Sequence, residues 1–209
     1  MKTRNSPALL LLAPLLAVAT PLQAVEEAQY RVVEQDGDFE IRDYDAAIVA
    51  EVVVDEAFED AGGRAFRALF KYIGGDNRGQ QEIAMTAPVS QQKSSTKIAM
   101  TAPVSQRQAA EGWAVSFMMP SSFTMETIPA PLDPQVQIRE IPEHRAASLR
   151  YSGTWSEKRY AEHLVKLRNW LETKGLETAG EAVWARYNAP FTPWFMRRNE
   201  ILIPLPIGP

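Results

Sequence analysis

The 209-residue sequence contains no cysteine. That excludes structural disulfides, thiolate metal sites, c-type haem attachment and a lipid-modified N-terminal cysteine. Histidine is nearly as scarce, with two residues, His144 and His163. No HExxH, GxSxG, GxxxxGK[ST] or CxxC pattern occurs, so the usual signatures of zinc hydrolysis, serine esterase chemistry, phosphate cradling and dithiol redox chemistry are missing. The glycine-rich stretch Gly74–Gly79 follows a predicted helix instead of opening one, and reads as a C-terminal turn. No Lys/Arg stripe interleaved with aromatics appears and the formal net charge is −4, which argues against nucleic acid as a partner. The most apolar run, Ala8–Ala19, is short for a bilayer span and is interrupted by Pro14.

That run has the form of an export signal. Lys2 and Arg4 supply the positive start, Ala8–Ala19 the apolar middle, and small residues offer cleavage after Ala24 or Ala19. Residues 1–24 are therefore read as a signal peptide and the mature chain as starting near Val25, with no stable membrane insertion after cleavage. An exported protein without disulfides depends on its core, and a bacterial periplasm suits it better than a harsher extracellular setting.

The remainder, 25–209, fits a single domain. Within it one pattern is written twice: FEIRDYDAAIVAEVVVDEAF (39–58) lies over VQIREIPEHRAASLRYSGTW (136–155) at a constant offset. Phe39/Val136, Ile41/Ile138, Arg42/Arg139, Asp43/Glu140, Val49/Ala146 and Phe58/Trp155 match in kind. Repetition of this length implies one supersecondary unit used twice around a shared core, in halves spanning about 28–120 and 134–206. In the first half, Ala28–Glu34 and Asp38–Asp45 alternate as strands about the turn Gln35-Asp36-Gly37, and Ala46–Val54 is a third, β-branched strand. Asp55 is placed to cap a helix that runs to Ile73 and stops at Gly74-Gly75. In the second half Val136–Ile141 and Arg145–Tyr151 read as strands, and Ser156 with Glu157 opens a helix ending near Lys174-Gly175. The helices also align, Phe66 with Leu164, Leu69 with Leu167 and Tyr72 with Trp170. Each is expected to lead into an Ala-Pro strand start, Ala87-Pro88 and Ala189-Pro190, and each half to close with an apolar strand, Trp113–Met119 and Glu200–Leu205. The fold class expected is α+β, a pseudo-twofold β-β-β-α-β-β duplication with both helices on one face of an antiparallel sheet.

A second, local duplication places IAMTAPVSQ at 83–91 and again at 98–106. It either lengthens a loop or offers two copies competing for one strand register. Ile128–Pro134, rich in proline, is read as a stiff join between the halves.

KYIGGDN (71–77), the doubled IAMTAPV, SFMMPSSFTMETIPAPLD (116–133), YNAPFTP (187–193) and RRNEILIPL (197–205) occur in this order. Through these landmarks, spread over residues 27–205, the chain resembles the SOUL haem-binding protein family. The resemblance implies a distorted antiparallel, barrel-like sheet flanked by two long helices, and binding of haem or a related tetrapyrrole without established catalysis.

The first helix has a feature its partner lacks. Phe58, Ala61, Ala65, Leu69 and Tyr72 make one apolar stripe, and Gly62, Phe66, Phe70 and Ile73 make a second beside it. The second helix shows a single stripe, Tyr160, Leu164, Leu167 and Leu171. Two adjacent glycines, Gly62 and Gly63, flatten the extra stripe so that a planar body can approach. Either the Thr192–Met196 loop covers this stripe as ordinary core or a ligand does. The resemblance places the tetrapyrrole between this helix and the loop before the RRNE strand, which here points to Phe66, Phe70 and Lys71 facing Asn188–Phe195. Chemically, a porphyrin asks for apolar walls and for cations opposite its propionates. Arg64, Arg67 and Lys71 border the stripe, while Thr192, Trp194 and Phe195 are candidates for the far wall. Arg197 and Arg198 are candidates for propionates or for pairing with Glu200.

The iron ligand is not assigned. Haem iron takes His, Met, Cys or Tyr. His163 reads as a structural residue on its helix, His144 as a solvated turn residue, and Met85 and Met100 as core fillers. Binding driven mainly by burial of the macrocycle is expected, so that a metal-free porphyrin binds comparably. The other readings are a binder of different amphipathic aromatic molecules, a tetrapyrrole-modifying enzyme or hydrolase using scattered carboxylates such as Asp43 or Glu181, and a protein-interaction module using 90–112 and 191–196.

Overall fold

The computed structural model describes residues 25–79 and 95–206. The expected signal peptide and the first IAMTAP copy, with Met85 and Ala87-Pro88, lie outside the described residues. The elements run, in chain order, β1 (Glu26–Glu27), β2 (Tyr30–Asp36), β3 (Phe39–Tyr44), β4 (Ala47–Val54), α1 (Phe58–Ile73), β5 (Asn77–Arg78), β6 (Thr101–Ala102), β7 (Val104–Gln108), β8 (Trp113–Met118), β9 (Ala130–Pro131), β10 (Gln137–Ile141), β11 (His144–Tyr151), α2 (Glu157–Lys174), β12 (Val183–Arg186) and β13 (Asn199–Leu205). A single turn of 3-10 helix, Trp194–Met196, precedes β13.

Nine strands form one curled antiparallel sheet in the order β10-β4-β8-β7-β12-β13-β11-β3-β2. Apart from the outer strand β2, this order reads the same outward in both directions from the central β7–β12 pair. Three strands precede α1, whereas two strands of this sheet precede α2, so β2 has no counterpart in the second half. Pairing of β5 with β9 ties the proline-rich join to the segment just after α1. The local duplication is resolved on one side: it is the second copy that supplies β6 and the start of β7.

Alternation of side chains along each strand separates the two faces of the sheet. On one face α1 packs over Ala50, Val52, Val54, Val115 and Phe117, and α2 over Ala147, Leu149, Ile201 and Ile203. Leu69 of α1 and Leu167 of α2 are fully buried at corresponding positions. Phe58 of α1 enters the α2 cluster, its ring 5.0 Å from Trp184 and 5.3 Å from Tyr160, and Trp113, edge-on to Phe58 at 5.0 Å, packs against both clusters. Among the described residues no helix is long and apolar enough to cross a membrane.

Three local expectations change. Ala57, not Asp55, is the N-cap of α1, and no side chain caps it. Ala189-Pro190 follows β12 instead of leading into it, because β12 has already ended at Arg186. His144 is not a solvated turn residue: it begins β11, with its ring stacked 5.2 Å from Tyr44. The second helix is as expected, with Ser156 accepting a hydrogen bond from the Arg159 N–H and Gly175 closing it in the left-handed conformation.

Candidate functional site

Two apolar rows on α1 have different fates. Phe58, Ala61, Ala65, Leu69 and Tyr72 are buried in the core, and the Tyr72 hydroxyl donates to the Pro129 carbonyl at 2.7 Å. In the second row Ile73 and Gly62 are also buried, but Phe66 is half-buried and Phe70 is 52% exposed. The Phe66 ring meets Phe117 edge-on at 5.2 Å and stacks with Phe70 at 5.7 Å. The pair thus forms a step from core to solvent, fixed at its inner end. Gly63, Arg67 and Lys71 are exposed beside it. Arg64 is engaged by Glu56 at 3.0 Å, whereas Arg67 and Lys71 form no ion pair among the described residues.

The loop after β12 carries the residues expected for the second wall. Phe191 (89% exposed), Trp194, Phe195 and Met196 all present large apolar side chains to solvent, and Trp194 and Phe195 meet edge-on at 5.6 Å. Thr192 is half-buried. These aromatics are not sequestered as core, so the reading in which the loop simply seals the helix stripe does not hold. Neighbouring exposed aromatics and methionine of this kind mark a binding surface.

A stack of cations and tryptophans joins helix and loop. A methyl group added at Gly62 would sit 3.0 Å from the guanidinium of Arg186, so glycine here permits the close approach of that side chain to α1. Arg186 lies over Trp184 at 4.8 Å and over Trp155 at 5.4 Å. Arg197 lies over the same Trp155 at 4.3 Å and donates to the carbonyls of Thr192 and Pro190, both at 2.8 Å. The base of the loop is therefore anchored to the first half of α1 through Arg186, Trp155 and Arg197. This settles Arg197 as a loop brace. Arg198, by contrast, pairs with Glu200 at 2.9 Å and Glu27 at 2.7 Å.

Arg186 is the residue that sequence reasoning missed. Among the described residues its one side-chain hydrogen bond is a long 3.4 Å contact to Gln106, its Nε has no partner, and no carboxylate pairs with it. Burial lowers its guanidinium to about 10. A desolvated cation without a counter-ion is costly and is relieved by an incoming anion. Alternation along β12 (Trp184 and Arg186 on the helix side) was a usable signal for its direction, but its missing partner could not be read locally.

Neither histidine reaches this surface. His163 is buried on α2, its Nδ1 2.7 Å from the Arg159 carbonyl and its ring 3.9 Å from Tyr151. Burial lowers its pKa; the hydrogen bond with the Arg159 carbonyl opposes this, and the charges of Lys166 and Arg159 add to the lowering. Thioethers are the available soft donors near the loop, with Met196 exposed one residue beyond the predicted wall.

A helix-covered, curled antiparallel sheet bearing an open aromatic shelf and an unpaired cation defines a ligand-binding α+β protein. Residues 25–204 match the family described as SOUL heme-binding protein, and the chain belongs to that family. It is 29% identical over 150 residues to heme-binding protein 1 of Mus musculus, covering 71% of this chain and 74% of that protein. With heme-binding protein 1 of Xenopus tropicalis it shares 27% identity over 170 residues, covering 80% and 84% respectively. Among solved structures, the EcmrR C-terminal domain superposes with a TM-score of 0.55 at 13% identity, covering 85% of this chain and 98% of that one, a likeness of fold alone.

Proposed function

We propose that this protein binds haem or a related tetrapyrrole on the shelf between α1 and the loop 188–196, and serves as an exported, periplasmic carrier or sequestering protein. The observation that carries the reading is the pairing of an uncovered aromatic surface, Phe66, Phe70, Trp194 and Phe195, with Arg186, a desolvated guanidinium lacking a carboxylate. The residues fit such a ligand. Phe66 and Phe70 offer one apolar wall, Trp194 and Phe195 a second; the exposed Gly63 keeps the helix surface low, whereas the space above Gly62 is filled by Arg186. Arg186, Arg67 and Lys71 are the cations for two propionates. Haem would bring redox-active iron to the shelf, and the protein's part is to bury the macrocycle and hold its carboxylates. The family membership and the names of the relatives support the ligand class. Export is supported by the character of residues 1–24 and by a family match that begins at Val25. A shared origin for the two halves is supported by the matched sequences and by the symmetric strand order.

Titration of the protein with haem and with metal-free protoporphyrin tests this reading. Comparable affinities are expected, since no histidine stands at the shelf to favour iron. Arg186→Met is expected to weaken protoporphyrin binding about tenfold while leaving its dimethyl ester unaffected, as loss of a charge-assisted hydrogen bond requires. Equal weakening of acid and ester would remove Arg186 from the site, and failure of the wild type to bind either porphyrin would refute the function.

A further inference from the structure

A cavity of about 780 Å³ opens on the sheet face turned away from both helices. Its floor follows from strand register. Glu51 of β4 is opposite Ser116 of β8, Ser116 is opposite Ser105 of β7, Ser105 is opposite Ala185 of β12, and Ala185 is opposite Glu200 of β13. Residues facing each other across a ladder project to the same side, so these five form one row across the curled sheet. Two buried carboxylates end the row, four strand spacings of about 4.8 Å apart. The three residues between them are small, and their size leaves the hollow that larger side chains would fill.

The two ends differ. Glu200 is fully buried and clamped by Arg42 at 2.7 Å and Arg198 at 2.9 Å, with Tyr187 donating to it at 3.0 Å. Burial works against its charge, yet these arginines hold its carboxyl below the usual range. Arg42 and Arg198 have further carboxylate partners in Glu40 and Glu27, so that cluster has no positive charge to spare. Glu51 is buried too and takes both contacts of Arg107 Nη2, at 3.0 and 3.1 Å, and Arg139 Nη1 at 2.9 Å. Here two guanidiniums share one carboxylate, and no other ion pair engages them among the described residues. Their side chains remain 33% and 44% exposed, inside the cavity wall. Val49, Met118, Met119, Leu202, Ile141 and Pro204 supply aliphatic and thioether wall, and Tyr44, Phe123, His144 and Tyr187 add aromatic rings to it. Methionine walls adapt to a flexible chain. Asp45, Glu126 and Glu140 lie at the exposed rim, where solvent and salt screen them, while the half-buried lining residues Glu26 and Glu27 are engaged by the Ser121 N–H at 2.8 Å and by Arg198 at 2.7 Å.

We propose that this cavity is a second ligand site, separate from the α1 shelf, for a single-headed amphipathic anion of the alkyl carboxylate class. The carboxylate docks on Arg107 and Arg139, and the chain lies over Ser116 and Ser105 toward Val183 and Leu202. The size is that of a small-molecule pocket, and the excess positive charge beside Glu51 selects the sign of the head group.

The test is calorimetric titration of the full chain with dodecanoate and with dodecyltrimethylammonium, both below their micellar concentrations. Dodecanoate is expected to bind one site and to prefer it at least tenfold over the cation. Arg139→Gln, which leaves Arg107 on Glu51, should weaken dodecanoate about tenfold. Ser116→Leu, which fills the floor, should abolish it. Both variants should retain wild-type affinity for protoporphyrin, so a failure here is distinguishable from failure of the shelf. No dodecanoate binding, equal or tighter binding of the cation, or unchanged dodecanoate affinity in both variants would overturn the proposal.

Discussion

The two helices occupy corresponding places in the two halves of the sheet and are built to different ends. α2 is a structural helix: Ser156 caps it, Gly175 closes it, and its core face is Tyr160, Leu167, Trp170 and Leu171. Val165, an exposed apolar residue on it, has no aromatic beside it in its own helix register. α1 lacks a side-chain cap, carries two adjacent glycines, and leaves Phe70 and part of Phe66 uncovered next to a loop of exposed aromatics. A matched pattern therefore coexists with asymmetry of surface. The core-facing rows do the same work in both halves, and the proposed ligand surface sets α1 of the first half, not α2, against the 188–196 loop of the second.

Substitutions that respect or break this comparison should separate accordingly. The largest effects should be shared. Leu69→Ala and Leu167→Ala each remove a fully buried leucine from equivalent positions, and each should cost about 2–5 kcal/mol in denaturant unfolding. A large cost at one and none at the other would break the equivalence of the two core rows. Next come the caps, where the helices should respond in opposite directions. Ser156→Ala should destabilise by about 1 kcal/mol, while Ala57→Ser should stabilise by up to about 1 kcal/mol by supplying the cap that α1 lacks.

The smallest effect is a pH dependence confined to α2. Burial holds the folded pKa of His163 below its ordinary value, so the unfolded chain binds the proton more readily. Its contribution to stability is complete above the ordinary histidine range. It is lost as pH falls from that range through the depressed folded value. His163→Gln should flatten this part of the stability profile, and an unchanged slope between the two proteins would show that another group titrates there.

Much of the architecture was legible in the sequence because it rests on local pattern. Alternation in 39–44 and 144–151, the 3.6-residue stripes of both helices, Ser156 and Gly175 all act over a few residues. The start of α1 was misread because Asp55 is an attractive cap in isolation, yet the chain enters the helix two residues later at Ala57. The shelf residues Phe66 and Phe70 were visible as a second stripe, and their exposure was not, since it depends on what the loop does not cover. Arg186 and the opposite-face cavity escaped for a different reason. An arginine lacks a partner, and Ser105, Ser116 and Ala185 fall in one row, only through pairing of strands distant in sequence. Arg42 and Arg139 illustrate the same point: the repeat marks them as equivalent, and the fold gives each a buried glutamate, Glu200 and Glu51, from a different strand.

The central claim, that the tetrapyrrole surface lies on α1 and not on its partner helix, is tested most directly by fluorescence-quenching titration of protoporphyrin into the wild type, Phe70→Asp and Val165→Asp. Phe70 and Val165 are both more than half exposed, so neither change should disturb the core. The expected result is saturable binding by the wild type, loss of at least about tenfold in affinity for Phe70→Asp, roughly the worth of burying one aromatic face, and no change for Val165→Asp. Wild-type affinity in Phe70→Asp, or an equal loss in both variants, would contradict it.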